Sequence, residues 1–151
     1  MSTQLTEDDA TTEEEPLLSV RNLRTVFHTG EETVRAVDGV DFDVRPGETV
    51  GIVGESGSGK SVTARSIMGL VESPGEIVDG SSIRFDGREL TDLSDAEYRE
   101  VRGSGIGMVF QDPQGSLNPV FTVGNQIMEA LRVNRGLRGE EARREAIDLL
   151  E

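Results

Sequence analysis

An α/β fold is predicted by three features of this chain: an apolar segment, a glycine loop and a helical pattern in direct succession, alternating apolar and polar residues before them, and helix-spaced apolar residues after them. The glycine loop is the most informative. Gly54-Glu55-Ser56-Gly57-Ser58-Gly59-Lys60-Ser61 fits G-x-x-x-x-G-K-[ST], and Lys60 is the only lysine among 151 residues. A compact ammonium on a flexible stem can reach between the β- and γ-phosphates of a nucleotide, whereas a planar guanidinium fork is too wide for that slot. The motif points to a nucleoside triphosphate as ligand.

Met1 to Pro16 carries Glu7, Asp8, Asp9, Glu13, Glu14 and Glu15 and no apolar h-region, so it reads as neither a signal peptide nor a membrane anchor. It is expected to be a solvated, disordered acidic tail (residues 1–16), a docking role for the run being the alternative. Leu17 to Phe27 and Val34 to Val44 contain alternating stretches, cleanest at Val40, Phe42 and Val44. They predict antiparallel strands around a turn at His28-Thr29-Gly30-Glu31-Glu32. After the Pro46-Gly47 turn, Glu48 to Val53 is a short apolar run suited to a buried parallel strand, and Ser61 to Leu70 has helical spacing at Val62, Ile67, Met68 and Leu70. Strand, loop and helix thus stand in the order that phosphate binding requires; a plain turn with an incidental lysine is the alternative. Gly54, Gly57 and Gly59 allow a tight turn whose N–H groups point inward, the helix adds its positive N-terminal dipole, and Ser61 offers a hydroxyl to Mg²⁺. Further on, Gly75 to Val78 and Ser81 to Gly87 read as strands, Ser94 to about Arg102 as a helix, and Ile106 to Phe110 as another buried strand. Val123, Ile127, Ala130 and Leu131 predict one more helix. A last one from about Gly139 places Ala142, Ala146, Leu149 and Leu150 near one face.

The formal net charge is −14, from 29 acidic against 15 basic residues. Such a surface repels polyanions, which argues against nucleic acid or an anionic membrane surface as a general partner. With no cysteine, the chain can form neither disulfides nor thiolate metal sites.

Two strings resemble one family closely. Val50 to Ser61 followed by Val62-Thr63-Ala64-Arg65-Ser66-Ile67-Met68-Gly69-Leu70 is similar to an ABC transporter ATP-binding subunit. Met108-Val109-Phe110-Gln111-Asp112-Pro113 followed by Ser116-Leu117-Asn118-Pro119 resembles the Q-loop of the oligopeptide/dipeptide importer branch. With Arg35-Ala36-Val37-Asp38-Gly39-Val40, the resemblance runs from Leu17 to Glu151. It implies a P-loop NTPase core with an antiparallel β subdomain and the start of a helical subdomain, incomplete in this chain.

The resemblance also implies roles. Gly54, Glu55, Ser56, Gly57, Ser58, Gly59, Lys60 and Ser61 cradle the phosphates of ATP, with Lys60 on the β/γ-phosphates and Ser61 on Mg²⁺. Gln111 approaches the metal and the attacking water with an amide that can both accept and donate. It also relays nucleotide state to the membrane subunits. Phe27 is the candidate for the aromatic that stacks on adenine, a core strand residue being the alternative. His28, the lone histidine, has no metal-ligand partner at helical or hairpin spacing and is expected to be an exposed turn residue.

A glycine signature, an acidic strand end and a switch histidine, all downstream elements of that family, do not occur, and Glu151 falls inside an amphipathic pattern. The expectation is the amino-terminal half of a longer subunit. Its parent would dimerise head to tail with a second ATP-binding subunit. It would couple ATP hydrolysis to import of peptides through membrane permease subunits, served indirectly by an extracytoplasmic substrate-binding protein, at the cytoplasmic face of the membrane. The chain by itself would bind nucleotide without turnover. A noncatalytic interaction module and a soluble ABC-type ATPase outside transport are the alternatives.

The acid-rich, lysine-poor balance predicts a protein adapted to a salt-rich cytoplasm, where ions screen its self-repulsion. Refolding in low and in molar KCl should reveal marked stabilisation by salt; equal stability in both contradicts that adaptation.

Overall fold

A computed structural model describes residues 15–30, 32–110 and 117–151. They form two compact units, one running to Asp92 and the other starting at Leu93.

The first unit is built on one antiparallel sheet. Strands β1 (Leu18–Thr29) and β2 (Glu32–Val44) form a long hairpin, followed by α1 (Lys60–Ile67) and the short strands β3 (Gly75–Ile77), β4 (Ser82–Phe85) and β5 (Arg88–Glu89). The spatial order is β2-β1-β4-β5, with β3 pairing along the outer half of β1. Strand β1 is therefore central, and its apolar residues form the core. Val20, Leu23, Ile83 and Leu90 are fully buried, each worth about 1.5–3 kcal/mol relative to exposure. The expected hairpin turn is tighter than its sequence signal, because β1 continues through His28 and Thr29 and β2 resumes at Glu32, leaving Gly30 at φ 63° to reverse the chain. His28 is accordingly a strand-end residue: its ring bonds Thr33 Oγ1 at 3.1 Å and Glu76 Oε1 at 3.0 Å, tying β1 to β2 and β3.

Helix α1 lies against this hairpin. Thr25 Oγ1 on β1 and Ser66 Oγ on α1 share a buried hydrogen bond of 2.8 Å, and Ser66 also donates to Val62 O. A serine and a threonine can face each other here because both hydroxyls are satisfied without water.

Two expected strands are corrected. Glu48 to Val53 and Ile106 to Phe110 are not strands, and their side chains are not buried: Val53 is 94% and Val109 92% exposed. A strand buried on both faces is held by its neighbours' ladder bonds, and among the described residues neither segment has such a neighbour. Their apolar character is the sequence signal that predicted burial; the missing partners are why it is unfulfilled.

The second unit is helical: α2 (Asp95–Ser104), α3 (Val123–Arg135) and α4 (Gly139–Asp148). A capping box opens α2, in which Ser94 Oγ accepts from Glu97 N–H and the Glu97 carboxylate accepts from Ser94 N–H at 2.9 Å. Thr122 caps α3, and Gly136 ends it at φ 70°. Ala142 and Ala146 are buried as expected, but Leu149 and Leu150 are exposed, although Leu149 keeps helical backbone angles and its N–H donates to Glu145 O at 3.0 Å.

Glu89 holds the sheet's far edge. Its carboxylate accepts from Ser82 Oγ at 2.6 Å, Ile83 N–H at 2.8 Å, Thr91 Oγ1 at 2.7 Å and Thr91 N–H at 3.3 Å. Burial pushes this carboxyl up, and the hydrogen bonds from Ser82, Thr91 and Ile83 outweigh burial and hold it below its usual range. A carboxyl depressed on folding contributes stability above its unfolded pKa, about 4.3, that is lost as pH falls towards the folded value. Glu89→Gln should therefore cost about 1–2 kcal/mol at neutral pH. Denaturation midpoints measured across pH should show the gap from wild type closing below about pH 4.3; a gap that stays constant with pH contradicts this role.

Candidate functional site

The predicted phosphate loop is a cavity of about 150 Å³ lined by Ala36, Gly57, Ser58, Gly59, Lys60, Ser61 and Val62. Its shape follows from the absence of side chains. Gly57 and Gly59 have φ of 83° and 90°, in the left-handed region that favours glycine. A Cβ on Gly59 would lie 2.3 Å from Ala36 O, and one on Gly54 would lie 2.5 Å from Ser58 Oγ. The end of the loop is thus flush with the β2 backbone, and its beginning folds over Ser58.

Helix α1 starts at this point. Gly59 O accepts from Thr63 N–H at 2.8 Å and from Thr63 Oγ1 at 3.0 Å, closing the first turn. No side chain caps the helix and its first turn holds no acidic residue. Its leading N–H groups, which have no intrahelical acceptor, and its positive dipole end remain suited to an anion.

Lys60 is the first residue of α1, and its ammonium folds over the loop. Nζ donates to Gly54 O at 2.8 Å, to Glu55 O at 2.7 Å and to Ser58 Oγ at 3.3 Å. A positive charge is thereby fixed above a ring of backbone at a helix N-terminus, which is chemistry for binding phosphate. Ser61 lines the same cavity. Among the described residues no cluster of three or more His, Asp or Glu could hold a metal ion. The Ser61 hydroxyl fits Mg²⁺ that arrives with the phosphates, and does not fit an independent metal site.

The structure brings together Gly57, Ser58, Gly59, Lys60 and Ser61 around the cavity, with the carbonyls of Gly54 and Glu55 on the lysine. Ser56 is in the loop but does not line the cavity. Gln111 lies outside the described residues. Phe27 is not part of the cavity wall; it is half-buried near the end of β1, two residues along from Thr25, and pairs across the hairpin with Val34. Sequence reasoning missed Ala36 as a site residue; it shapes the loop through its backbone carbonyl, and neither its strand position nor its place in the family string carries a signal of such a contact.

The oligopeptide transport ATP-binding protein AppD of Bacillus subtilis (strain 168) is 50% identical over 136 residues, covering 89% of this chain and 41% of that protein. A putative peptide import ATP-binding protein of Brucella abortus (strain 2308) is also 50% identical over 136 residues, covering 90% of this chain and 41% of that protein. The chain therefore spans about 41% of the length of these curated relatives. Among solved structures, the ATP-binding cassette MJ0796, a dimer in a post-hydrolysis state bound to ADP and Pi, superposes with a TM-score of 0.75 at 32% identity. That match covers 87% of this chain and 54% of that one. The ABC transporter family model matches residues 37–151, which include the whole phosphate loop and helix α1, and the chain belongs to that family.

Proposed function

We propose that this chain carries the phosphate-binding part of an ATPase subunit that drives peptide import. The observation that carries the reading is the Lys60 ammonium held over a glycine cradle at the N-terminus of α1, in a loop with no room for a Cβ at Gly59. The β- and γ-phosphates of ATP compete for that ammonium and replace its bonds to loop oxygens with stronger charge-assisted ones. Ser61 would hold Mg²⁺, which would supply neutralisation of phosphate charge. Gln111 would orient water and metal and pass nucleotide state onward. Phe27 stacks on adenine; what supports this is that Phe27 and Thr25 alternate onto one face of β1, and Thr25 is bonded to α1.

Peptide as cargo is supported by the names of the relatives, which are peptide import and oligopeptide transport proteins. In the complete subunit two copies, or two related subunits, pair head to tail, in keeping with the solved dimeric cassette. Permease subunits then receive the motion at the cytoplasmic face of the membrane. No described helix is long and apolar enough to cross a membrane itself. The 151-residue chain binds nucleotide and does not turn it over, because the residues assigned here supply the phosphate cradle and no general base.

Calorimetric titration should show ATP binding by the chain that weakens roughly ten- to a hundredfold in Lys60→Ala, the worth of one or two charge-assisted bonds. Lys60→Arg should not restore it, since the guanidinium is too wide. Unchanged affinity in Lys60→Ala overturns the phosphate assignment. Steady phosphate release by the wild-type chain that Lys60→Ala abolishes overturns the absence of turnover.

A further inference from the structure

Gly75 is the first residue of β3 and pairs with Phe27 across the β1–β3 ladder. Its φ is not in the left-handed region, so backbone conformation does not require glycine there. Packing does. A Cβ built on Gly75 would lie 2.6 Å from Phe27 Cε1, 2.9 Å from Phe27 Cδ1 and 2.8 Å from Val71 Cγ1. The aromatic ring therefore rests on the bare backbone of Gly75, with the Val71 side chain closing the opposite side of the space a methyl would need.

The backbone under the ring is fixed. Val26 pairs with Glu76 and Phe27 with Gly75 in the ladder, and His28 N–H donates to Pro74 O at 3.0 Å. The His28 ring bonds Glu76 Oε1 at 3.0 Å just beyond. With the strand tied on both sides of Phe27, a methyl on Gly75 cannot be relieved by moving β1. It must displace side chains, turning the Phe27 ring about its own torsions and pushing Val71 Cγ1 aside.

We infer that Gly75 is a positioning residue for base recognition: by lacking a side chain it sets the angle at which Phe27 presents its ring to the nucleotide base. The inference rests on the reading of Phe27 as the stacking aromatic. Stacking is geometric, since the attraction depends on parallel, offset faces. A ring turned by even part of a rotamer loses the base while leaving the phosphate cradle, which Phe27 does not line, as it was.

The test is the preference for ATP over inorganic tripolyphosphate, the ratio of their affinities for the full 151-residue chain. It reports the base contact separately from the phosphate contact. Phe27→Ala should lower the ratio about tenfold, the order of one base–aromatic stack, and Gly75→Ala should lower it by a similar factor. The double variant should fall no further than Phe27→Ala alone, because the methyl affects the base contact only through the ring, whatever it displaces at Val71. If Phe27→Ala leaves the ratio unchanged, the stacking reading falls and this inference with it. If Phe27→Ala lowers the ratio and Gly75→Ala does not, or if the two effects add, the stacking reading stands and the role of Gly75 is overturned. A direct measurement on the wild type covers a Gly75→Ala chain that does not fold. Proton NMR should show contacts from the Phe27 ring to the Gly75 Hα atoms that persist when ATP is added, while ATP and not tripolyphosphate shifts the ring resonances. Loss of those contacts in the ATP complex overturns the inference.

Discussion

The structure of the candidate site depends on one close approach, that of the Gly59 backbone to the carbonyl of Ala36. A loop of six or more residues between two elements is free to take many shapes, and ordering it costs about 1–2 kcal/mol per residue. Here the end of the loop is laid on β2, and a relay of contacts leads from it. Gly59 O receives both donors of Thr63, α1 rises one turn, and Ser66 reaches the buried hydroxyl of Thr25 on β1. The helix is thus tied at both ends to the same hairpin, one tie to each strand. The glycine loop thus takes its shape from the sheet beside it.

Charge explains why a single lysine suffices. The chain is strongly acidic, and a nucleotide brings more negative charge to it. At the loop no acidic residue occupies the first turn of α1, and Glu55 contributes its carbonyl to Lys60. The ammonium and the helix terminus concentrate positive charge locally on a surface that otherwise repels anions.

Much of this was legible in the sequence, for physical reasons. The glycine spacing and Lys60 specify a backbone shape directly, and the structure shows the cavity where the motif stood. The hairpin followed from alternation, and the start of α2 from the Ser94 and Glu97 pair. The strands expected at Glu48 to Val53 and Ile106 to Phe110 did not follow, because an apolar run states only that burial is favourable and a strand exists only when a neighbour supplies the ladder. Leu149 and Leu150 went astray for a related reason: helical spacing says which residues share a face, not that another element covers it. His28 looked like a turn residue because its contacts, Thr33 and Glu76, come from two other strands. Nor could the sequence disclose Ala36 or Gly75. Each acts through bare backbone on a residue distant along the chain, and only the folded sheet brings those partners together.

If backbone contact between the loop and β2 shapes the proposed phosphate site, ATP titrated into Gly59→Ala and into the wild-type chain will bind them differently. The added methyl cannot coexist with the Ala36 carbonyl and strains a left-handed residue, so ATP affinity should fall by at least about tenfold, the worth of one charge-assisted hydrogen bond. Equal affinity in the two proteins would mean that the site forms without this contact.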